Sequence, residues 1–237
     1  QTYLAEQLNA ASAIVAPSRF VRDLMIQQGF DPGSIRLIPH GLDVSQWQRP
    51  TRVEDRNGKM RIGYLGNLSP HKGAHVLIEA FKMLRGGGES LRLRLHGDPD
   101  NSPDYTARLR QMVGRDSRIE LGGRYENSTV GTLLDEMDVL VVPSLWYEIG
   151  PLVTLEAFAS RTPVIAADLP NMKYQVTHEV DGLLYPADNP AALAEQLQRL
   201  RDEPGLSELL RAGIGPVRTT DDEMNEWLSV YREVLAR

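Results

Sequence analysis

From Met60 onward the sequence repeats one pattern: a short apolar run, a loop rich in glycine and polar residues, and a stretch with helical spacing. The apolar runs predict strands at residues 61–66, 91–97, 118–123, 138–144 and 163–167. Helices are predicted near residues 74–85, 104–114, 129–136, 152–160, 190–202, 205–213 and 221–236. Strands that alternate with helices favour an α/β fold, here a Rossmann-like, doubly wound parallel sheet with helices on both faces.

The N-terminal part of the chain carries a shorter version of the same alternation. It predicts helix, strand, helix and strand at residues 2–11, 13–16, 19–28 and 35–38. Ser18 is suited to cap the second of these helices. Residues 43–59 are polar and charged and show no apolar period, so we expect a linker there.

Composition excludes several classes of protein. A net charge of −6 and a pI near 5.4 argue against a general nucleic-acid-binding protein, which would carry a basic surface. The absence of cysteine excludes disulfides and thiolate ligands and is typical of the cytoplasm. No apolar run approaches the ~20 residues of a membrane span, and no signal peptide opens the chain. Because the first residue is Gln1, we expect a processed or truncated piece.

Glycine and polar residues gather where the predicted strands end. These segments are residues 66–73, 97–98, 122–125 and 144–151. In a doubly wound sheet, ligands bind outside the carboxyl ends of the strands. The sequence therefore predicts one ligand site at this edge.

Two carboxylates flank the last of these loops. Glu156 is the only charged residue of its apolar helix, where a carboxylate is costly unless it accepts hydrogen bonds. Glu148 precedes that helix, whose free amides, at Leu152 and Val153, favour an anion. Together they indicate a ligand with hydroxyls and phosphates, such as a nucleotide sugar. In the alternative interpretation, Glu156 reaches solvent and Glu148 is a solvated loop charge.

The helix that carries Glu156 has its own predicted geometry. Pro151 is suited to its first position. Leu152, Leu155 and Ala159 have the spacing of a face that packs on the core.

Lys72 stands at the start of a predicted helix, where the helix dipole disfavours a cation by about 0.3–1 kcal/mol. A local rule broken in this way is typical of functional sites, and a lysine here is placed to neutralise a diphosphate. The alternative is a surface lysine that reaches water.

Arg124 and Tyr125 follow two glycines, so their backbone can approach a ligand. Tyr125 is suited to stack on a base and Arg124 to bind a phosphate, the alternative being an ordinary loop arginine beside a half-buried tyrosine. Asp98 either caps the next turn or binds a hydroxyl. His71 and His75 have no third ligand, so no metal site is predicted.

Three motifs, in their order along the chain, resemble those of one enzyme family. RLIPHGLD, at residues 36–43, is similar to a V-I-P-N-G-V-D crossing between two domains. GYLGNLSPHKG, at residues 63–73, resembles a G-R-L-x-x-x-K-G loop, and EIGPLVTLEA, at residues 148–157, is similar to an E-x7-E signature. On these motifs the chain resembles the GT-B glycosyltransferases of family GT4, which are retaining enzymes that use nucleotide sugars.

The resemblance covers nearly the whole chain and implies its domain organisation. Residues 1–42 would end an N-terminal, acceptor-side domain, and residues 43–59 would form the linker or crossing. Residues 60–218 would form the donor-binding domain, and residues 219–237 a closing helix that packs towards the N-terminal domain.

The resemblance also implies roles for the matching residues. Lys72 and Glu148 would be catalytic: Lys72 would bind the donor diphosphate and stabilise its departure, and Glu148 would lie near the donor sugar. Glu156 would accept hydrogen bonds from the ribose hydroxyls, and Tyr125 would lie near the base. The donor-binding set is Gly66, Asn67, Lys72, Gly97, Asp98, Arg124, Tyr125, Ser144, Glu148, Ile149, Gly150, Leu152, Val153 and Glu156.

The implied reaction transfers a sugar, with retention, from a UDP-, GDP- or ADP-sugar to a hydroxyl of an acceptor sugar, lipid-linked glycan or small molecule. No cofactor or metal is required, because Lys72 and helix amides can neutralise the leaving group. We expect no nucleic-acid partner, a cytoplasmic location, peripheral membrane contact through the rest of the N-terminal domain, and little or no activity from this chain alone. Two alternatives are a GT-B nucleotide-sugar epimerase, which needs no acceptor, and a non-catalytic nucleotide-sugar-binding module.

Three positions depart from the family pattern. Asn67 stands where the family has an arginine that binds the diphosphate, and Arg124 is the candidate to replace that charge. Pro151 stands where glycine is common and removes an amide donor. His40 replaces the asparagine of the crossing. These differences bear on leaving-group stabilisation more than on ribose binding.

Overall fold

The computed structural model describes residues 7–47 and 60–236 of the chain. The N-terminal part consists of β1 (Ile14–Ala16), α1 (Arg19–Gln27) and β2 (Ile35–Leu37), and the two strands pair in parallel. The Ser18 hydroxyl accepts a hydrogen bond from the Val21 amide at 3.2 Å, which confirms the predicted cap. Residues 7–9 are helical, but the start of the helix predicted over residues 2–11 and residues 48–59 of the predicted linker lie outside the described residues.

A six-stranded parallel sheet forms the larger part of the fold, as predicted. Its strands are β3 (Met60–Leu65), β4 (Leu91–His96), β5 (Ile119–Gly123), β6 (Val139–Val142), β7 (Val164–Ala167) and β8 (Gly182–Tyr185). They lie in the order β5-β4-β3-β6-β7-β8. The first five strands confirm the predicted ones. β8 was not predicted, because its four residues include no β-branched side chain.

Helices cover both faces of this sheet. They are α2 (Ala74–Met83), α3 (Pro103–Val113), α4 (Val130–Asp135), α5 (Leu152–Ala159), α6 (Pro190–Asp202), α7 (Leu206–Gly213) and α8 (Thr220–Leu235). Alternate side chains of a strand enter different apolar clusters: Val139 and Val141 pack in one, and Leu140 and Val142 in the other. Two apolar faces on one strand require cover on both sides, which explains the doubly wound arrangement.

The carboxyl ends of β3 and β6 are neighbours, although β4, β5 and three helices lie between the two strands in sequence. The strand order reverses at this pair, because β4 and β5 lie on one side of it and β7 and β8 on the other. A crevice at the carboxyl ends is expected at such a reversal.

β4 is less buried than β6, as its sequence predicts. Arg92 and Arg94 are half-buried, whereas the leucines between them are buried. In β6 all four residues are buried.

The structure corrects the prediction for α5. Pro151 precedes the helix with an extended ψ of 108° and does not occupy its first position. The buried face is formed by Thr154, Ala157 and Phe158, whereas Leu152 is 48% exposed. Because the helix is apolar on nearly every side, its spacing could not select the face that packs on the core.

The last helix returns to the segment that follows β2. Thr219 and Asp222 form a capping box that starts α8. The Leu42 amide donates to the Arg218 carbonyl at 2.9 Å, and the Thr220 amide donates to the Leu42 carbonyl at 3.1 Å. Near its other end, Glu233 pairs with Arg36 at 2.8 Å. The division into domains stays a prediction. Within the described residues, no helix is both long and apolar enough to cross a membrane.

Candidate active site at the carboxyl edge of the sheet

A cavity of about 260 Å³ lies at the carboxyl ends of β3 and β6. It brings together nine of the predicted donor-binding residues, namely Gly66, Asn67, Lys72, Tyr125, Ser144, Glu148, Leu152, Val153 and Glu156. Tyr64, Leu65, Val141, Val142, Pro143 and Pro151 complete its lining. The predicted gathering of loops at this edge is therefore what the structure shows.

The loop between β3 and α2 places Lys72 beside the loop that follows β6. Gly73 has a left-handed φ of 72°, and a Cβ atom there would collide with the carbonyl oxygen of Pro143. The Leu145 amide also donates to the His71 carbonyl at 2.8 Å. Only glycine combines this backbone conformation with so close an approach, so Gly73 sets the position of Lys72.

Lys72 and Glu148 form an ion pair inside the cavity. The Lys72 ammonium lies 2.6 Å and 2.8 Å from the two carboxylate oxygens of Glu148. The Ser144 hydroxyl donates to the same carboxylate at 2.7 Å. Lys72 precedes α2 in a short 3-10 turn, and the carboxylate offsets the unfavourable helix dipole at that position. The cluster places a cation and an anion side by side, with a hydroxyl bound to the anion.

Glu156 is half-buried on α5 and lines the same cavity. Burial raises the pKa of its carboxyl above the ordinary value, and no described neighbour opposes that rise with a hydrogen bond or a positive charge. Burial, and then the charge of Glu156, raises the pKa of the nearby Tyr125 hydroxyl. A ligand that donates hydrogen bonds to the Glu156 carboxylate would satisfy this desolvated acceptor.

Tyr64 is a residue of the site that the sequence interpretation missed. Its hydroxyl donates to the Asn67 carbonyl at 2.7 Å and so fixes the start of the loop that carries Lys72. Burial holds the pKa of this hydroxyl well above its usual range. The available signal was a tyrosine near the end of a buried strand, because a buried phenol requires a hydrogen-bond partner.

Five of the predicted residues do not line the cavity: Gly97, Asp98, Arg124, Ile149 and Gly150. Arg124 is largely exposed and pairs with Asp98 at 2.6 Å. The Asp98 carboxylate also accepts from the Asp100 amide at 3.0 Å, which is the capping role. The charge that Arg124 was expected to supply in place of the family arginine is therefore held outside the cavity by Asp98.

The remaining three lie outside the cavity in different surroundings. Gly97 packs against the backbone of Gly66, where a Cβ atom would collide with its carbonyl oxygen. Ile149 is exposed. Gly150 borders a second cavity of about 370 Å³, which lies between the start of α1, the segment after β2 and the loop after β7. This second cavity is larger, but Lys72, Glu148 and Glu156 do not line it.

Among the described residues, no group of three or more histidine, aspartate or glutamate side chains could hold a metal ion. His75, considered above as a ligand, instead has its Nδ1 atom 2.7 Å from the Tyr105 hydroxyl. Burial lowers the pKa of this imidazole.

Comparison with curated relatives points to sugar transfer. The chain is 29% identical to a D-inositol 3-phosphate glycosyltransferase of Corynebacterium glutamicum (strain R), over 82% of this chain and 50% of the relative. It is 25% identical to an alpha-D-kanosaminyltransferase of Streptomyces kanamyceticus, over 81% of this chain and 51% of that protein. The chain thus spans about half the length of these relatives.

Solved structures share the fold. The sucrose-phosphate synthase of Thermosynechococcus elongatus superposes with a TM-score of 0.84 and 23% identity, over 99% of this chain and 61% of the other. Anabaena HepE in complex with UDP and glucose superposes with a TM-score of 0.79 and 20% identity, over 99% of this chain and 65% of the other.

Family models cover most of the chain. A model described as glycosyl transferases group 1 matches residues 59–203, and one described as glycosyltransferase family 4 matches residues 1–46. The first match alone covers more than half of the 237 residues. The chain therefore belongs to the group 1 glycosyl transferases, with the GT4-like GT-B fold that its sequence motifs resemble.

Proposed function

We propose that this chain supplies the donor-binding half of a retaining glycosyltransferase, which moves a sugar from a nucleotide diphosphate sugar to an acceptor hydroxyl. The observation that carries the proposal is the Lys72–Glu148–Ser144 cluster, which shares one cavity with the half-buried carboxylate of Glu156. The cation suits the phosphates of such a donor, and the carboxylates suit its hydroxyls.

In this proposal the cluster exchanges partners when the donor binds. The Lys72 ammonium passes from Glu148 to the diphosphate, where it neutralises the charge that develops as the sugar departs. The Glu148 carboxylate, still bound to Ser144, then accepts hydrogen bonds from sugar hydroxyls. The first amides of α5, at Leu152 and Val153, add a favourable helix terminus for the phosphates. These groups let the reaction proceed without a metal, which is part of the proposal.

Glu156 binds the ribose in this proposal. A vicinal diol can donate two hydrogen bonds to one carboxylate, and hydrogen bonds to a charged group contribute about 1.5–3 kcal/mol. Tyr125 lies close enough for the Glu156 charge to raise the pKa of its hydroxyl, so the two residues frame the nucleoside end of the cavity.

We propose a UDP-sugar as the first donor to test, because solved complexes of Anabaena HepE contain UDP and UDP-glucose. The acceptor is a hydroxyl of a sugar, a lipid-linked glycan or a small molecule, and the relative named as a D-inositol 3-phosphate glycosyltransferase supports a polyol. A cytoplasmic location, with membrane contact only at the periphery, completes the proposal.

Isothermal titration of the 237-residue chain with UDP, GDP and ADP tests the binding half of this function. We expect UDP to bind and Glu156→Gln to weaken it about tenfold or more. If none of the three nucleotides binds, the donor site is wrong. The transfer half is tested by supplying an N-terminal domain and asking whether a glycosidic bond forms with the anomeric configuration of the donor.

A non-catalytic nucleotide-sugar-binding module is the second candidate. Among the described residues that line the cavity, Lys72 is the only cation, because Asn67 replaces the family arginine and Arg124 is paired with Asp98 outside. A weaker positive clamp stabilises the leaving group less. Tight donor binding without transfer, once the acceptor-side domain is supplied, would favour this candidate.

A further inference from the structure

Helix α1 touches the loop that carries Glu148. The ring centroids of Phe20 and Tyr147 are 5.2 Å apart, with their planes inclined by 35°. Trp146 extends the contact, since its ring lies 6.4 Å from that of Tyr147. A residue of the N-terminal part therefore contacts the residue directly before a candidate catalytic group.

A second contact lies one turn further along α1. The Tyr174 hydroxyl donates to the Asp23 carboxylate at 3.1 Å. Phe20 and Asp23 are three positions apart and so share one side of the helix. Tyr174 follows β7, whereas Tyr147 follows β6, so this side of α1 spans two loops at the carboxyl edge.

The loop from Ser144 to Gly150 has little other support on its outer side. It forms no helix or strand, and Trp146 and Ile149 are exposed. The inner side is held by the Leu145 amide on the His71 carbonyl, and by the Ser144 hydroxyl and the Lys72 ammonium on Glu148. The Phe20 ring of α1 thus packs against Tyr147, which one peptide bond joins to Glu148.

We propose that Phe20 is a positioning residue, which stacks on Tyr147 to hold Glu148 at the sugar end of the donor cavity. This inference rests on the proposed function, because it assigns the sugar to Glu148. Recognition of the donor sugar then depends on the contact between α1 and Tyr147. Recognition of the nucleotide depends on Lys72 and Glu156 and is independent of that contact.

The test compares UDP with UDP-glucose by isothermal titration. For each variant, the dissociation constant of UDP divided by that of UDP-glucose isolates the effect of the sugar. Phe20→Ala should lower this ratio about two- to tenfold, the range expected from losing one aromatic pair. UDP affinity itself should stay unchanged. Phe20→Tyr keeps the ring and should restore the ratio.

Ile26→Ala is the matched control, because Ile26 is a large, partly exposed apolar residue of the same helix. It lies about 240° around the helix axis from Phe20, at 100° per residue. We expect no change in the ratio. Tyr147→Ala removes the other ring without touching the core, and its effect should not add to that of Phe20→Ala.

Three results would overturn the inference while leaving nucleotide binding intact. They are an unchanged ratio in Phe20→Ala and Tyr147→Ala, an equal loss in Ile26→Ala, and a wild-type chain that binds UDP but not UDP-glucose. A chain that binds neither compound contradicts the proposed function itself. If Phe20→Ala fails to fold, Tyr147→Ala against Tyr147→Phe decides the question, because Tyr147 is exposed for half of its surface.

Discussion

The ammonium of Lys72 lies within 2.8 Å of both carboxylate oxygens of Glu148, although 76 positions separate the two residues. The lysine is brought there by the Gly73 turn, and the glutamate by the loop that follows β6. In the proposed function, Lys72 binds the phosphates of a nucleotide sugar and Glu148 its hydroxyls. Under that proposal, donor binding separates a pair that the protein itself forms.

Replacing Lys72 by alanine should weaken UDP binding about 10- to 100-fold, because it removes a charge-assisted hydrogen bond and leaves Glu148 unpaired beside the phosphates. The affinity for uridine, which has no phosphate, should fall by less than about twofold, because neither effect involves the nucleoside. Titration with both compounds measures the difference. Lys173→Ala is the control, since Lys173 also pairs with a carboxylate, at 3.1 Å from Asp168, but away from the cavity. Equal losses for UDP and uridine would refute the role of Lys72.

Glu156→Gln should weaken both UDP and uridine, by about 10- to 100-fold, because a neutral amide oxygen accepts the ribose hydroxyls less strongly than a carboxylate. The pattern differs from that of Lys72→Ala, in which only the phosphate-bearing ligand is affected. Glu195→Gln, on the exposed side of α6, makes the same chemical change elsewhere. Unchanged uridine binding in Glu156→Gln would remove the ribose from this side chain.

The pH dependence of UDP binding should report on Glu156. Burial raises the pKa of its carboxyl, so as pH falls it takes up a proton at a higher pH than an exposed glutamate does. Protonation removes the acceptor, so UDP affinity should fall more in the wild type than in Glu156→Gln in that range above pH ~4.5. The control is a titration of UDP alone, because the diphosphate gains a proton near pH ~6. Parallel curves for the two proteins would contradict the prediction.

Stability without ligand should show the opposite trend. A carboxyl whose pKa is raised on folding contributes stability that is present below its unfolded pKa and is lost as pH rises through the folded value. At neutral pH Glu156→Gln removes that loss, so its Tm should exceed that of the wild type, by about 2–4 °C for each kcal/mol recovered. The difference should vanish in acid. A lower Tm at neutral pH would show that Glu156 stabilises the fold.

Gly73→Ala should destabilise the chain by at least about 2 kcal/mol and weaken UDP binding as well. The left-handed φ of 72° disfavours alanine, and the added Cβ collides with the carbonyl oxygen of Pro143. Chemical denaturation measures the free energy of unfolding. Gly215→Ala adds the same atom where no neighbour lies within 4 Å and should change stability by less than about 0.5 kcal/mol. Comparable losses in the two variants would contradict the packing account.

The sequence was sufficient to predict features that depend on nearby residues. The Ser18 cap and five of the six strands of the main sheet follow from local signals, and so does the gathering of loops around Lys72 and Glu148. In a doubly wound sheet, ligands bind outside the carboxyl ends of the strands, so loops that follow different strands meet there even when they are far apart in sequence. This is why the site could be expected before any contact was known.

What the sequence could not provide depends on packing. The buried face of α5 was predicted wrongly, because leucine and alanine occur on several sides of that helix. The pairing of Arg124 with Asp98 joins two loops 26 residues apart, and no local pattern indicates it. Tyr64 was missed because its role is to hold the backbone of Asn67, which is visible only once the loop has a shape.

The hydrogen bonds between Leu42 and the start of α8 have a consequence for protein engineering. The two ends of the segment 43–218 lie close together, since Leu42 forms hydrogen bonds with both Arg218 and Thr220. An inserted unit whose ends already meet adds little loop-closure entropy to its host. Residues 43–218 should thus be exchangeable between relatives as one unit, joined at two adjacent points, while the recipient keeps its own residues outside that range.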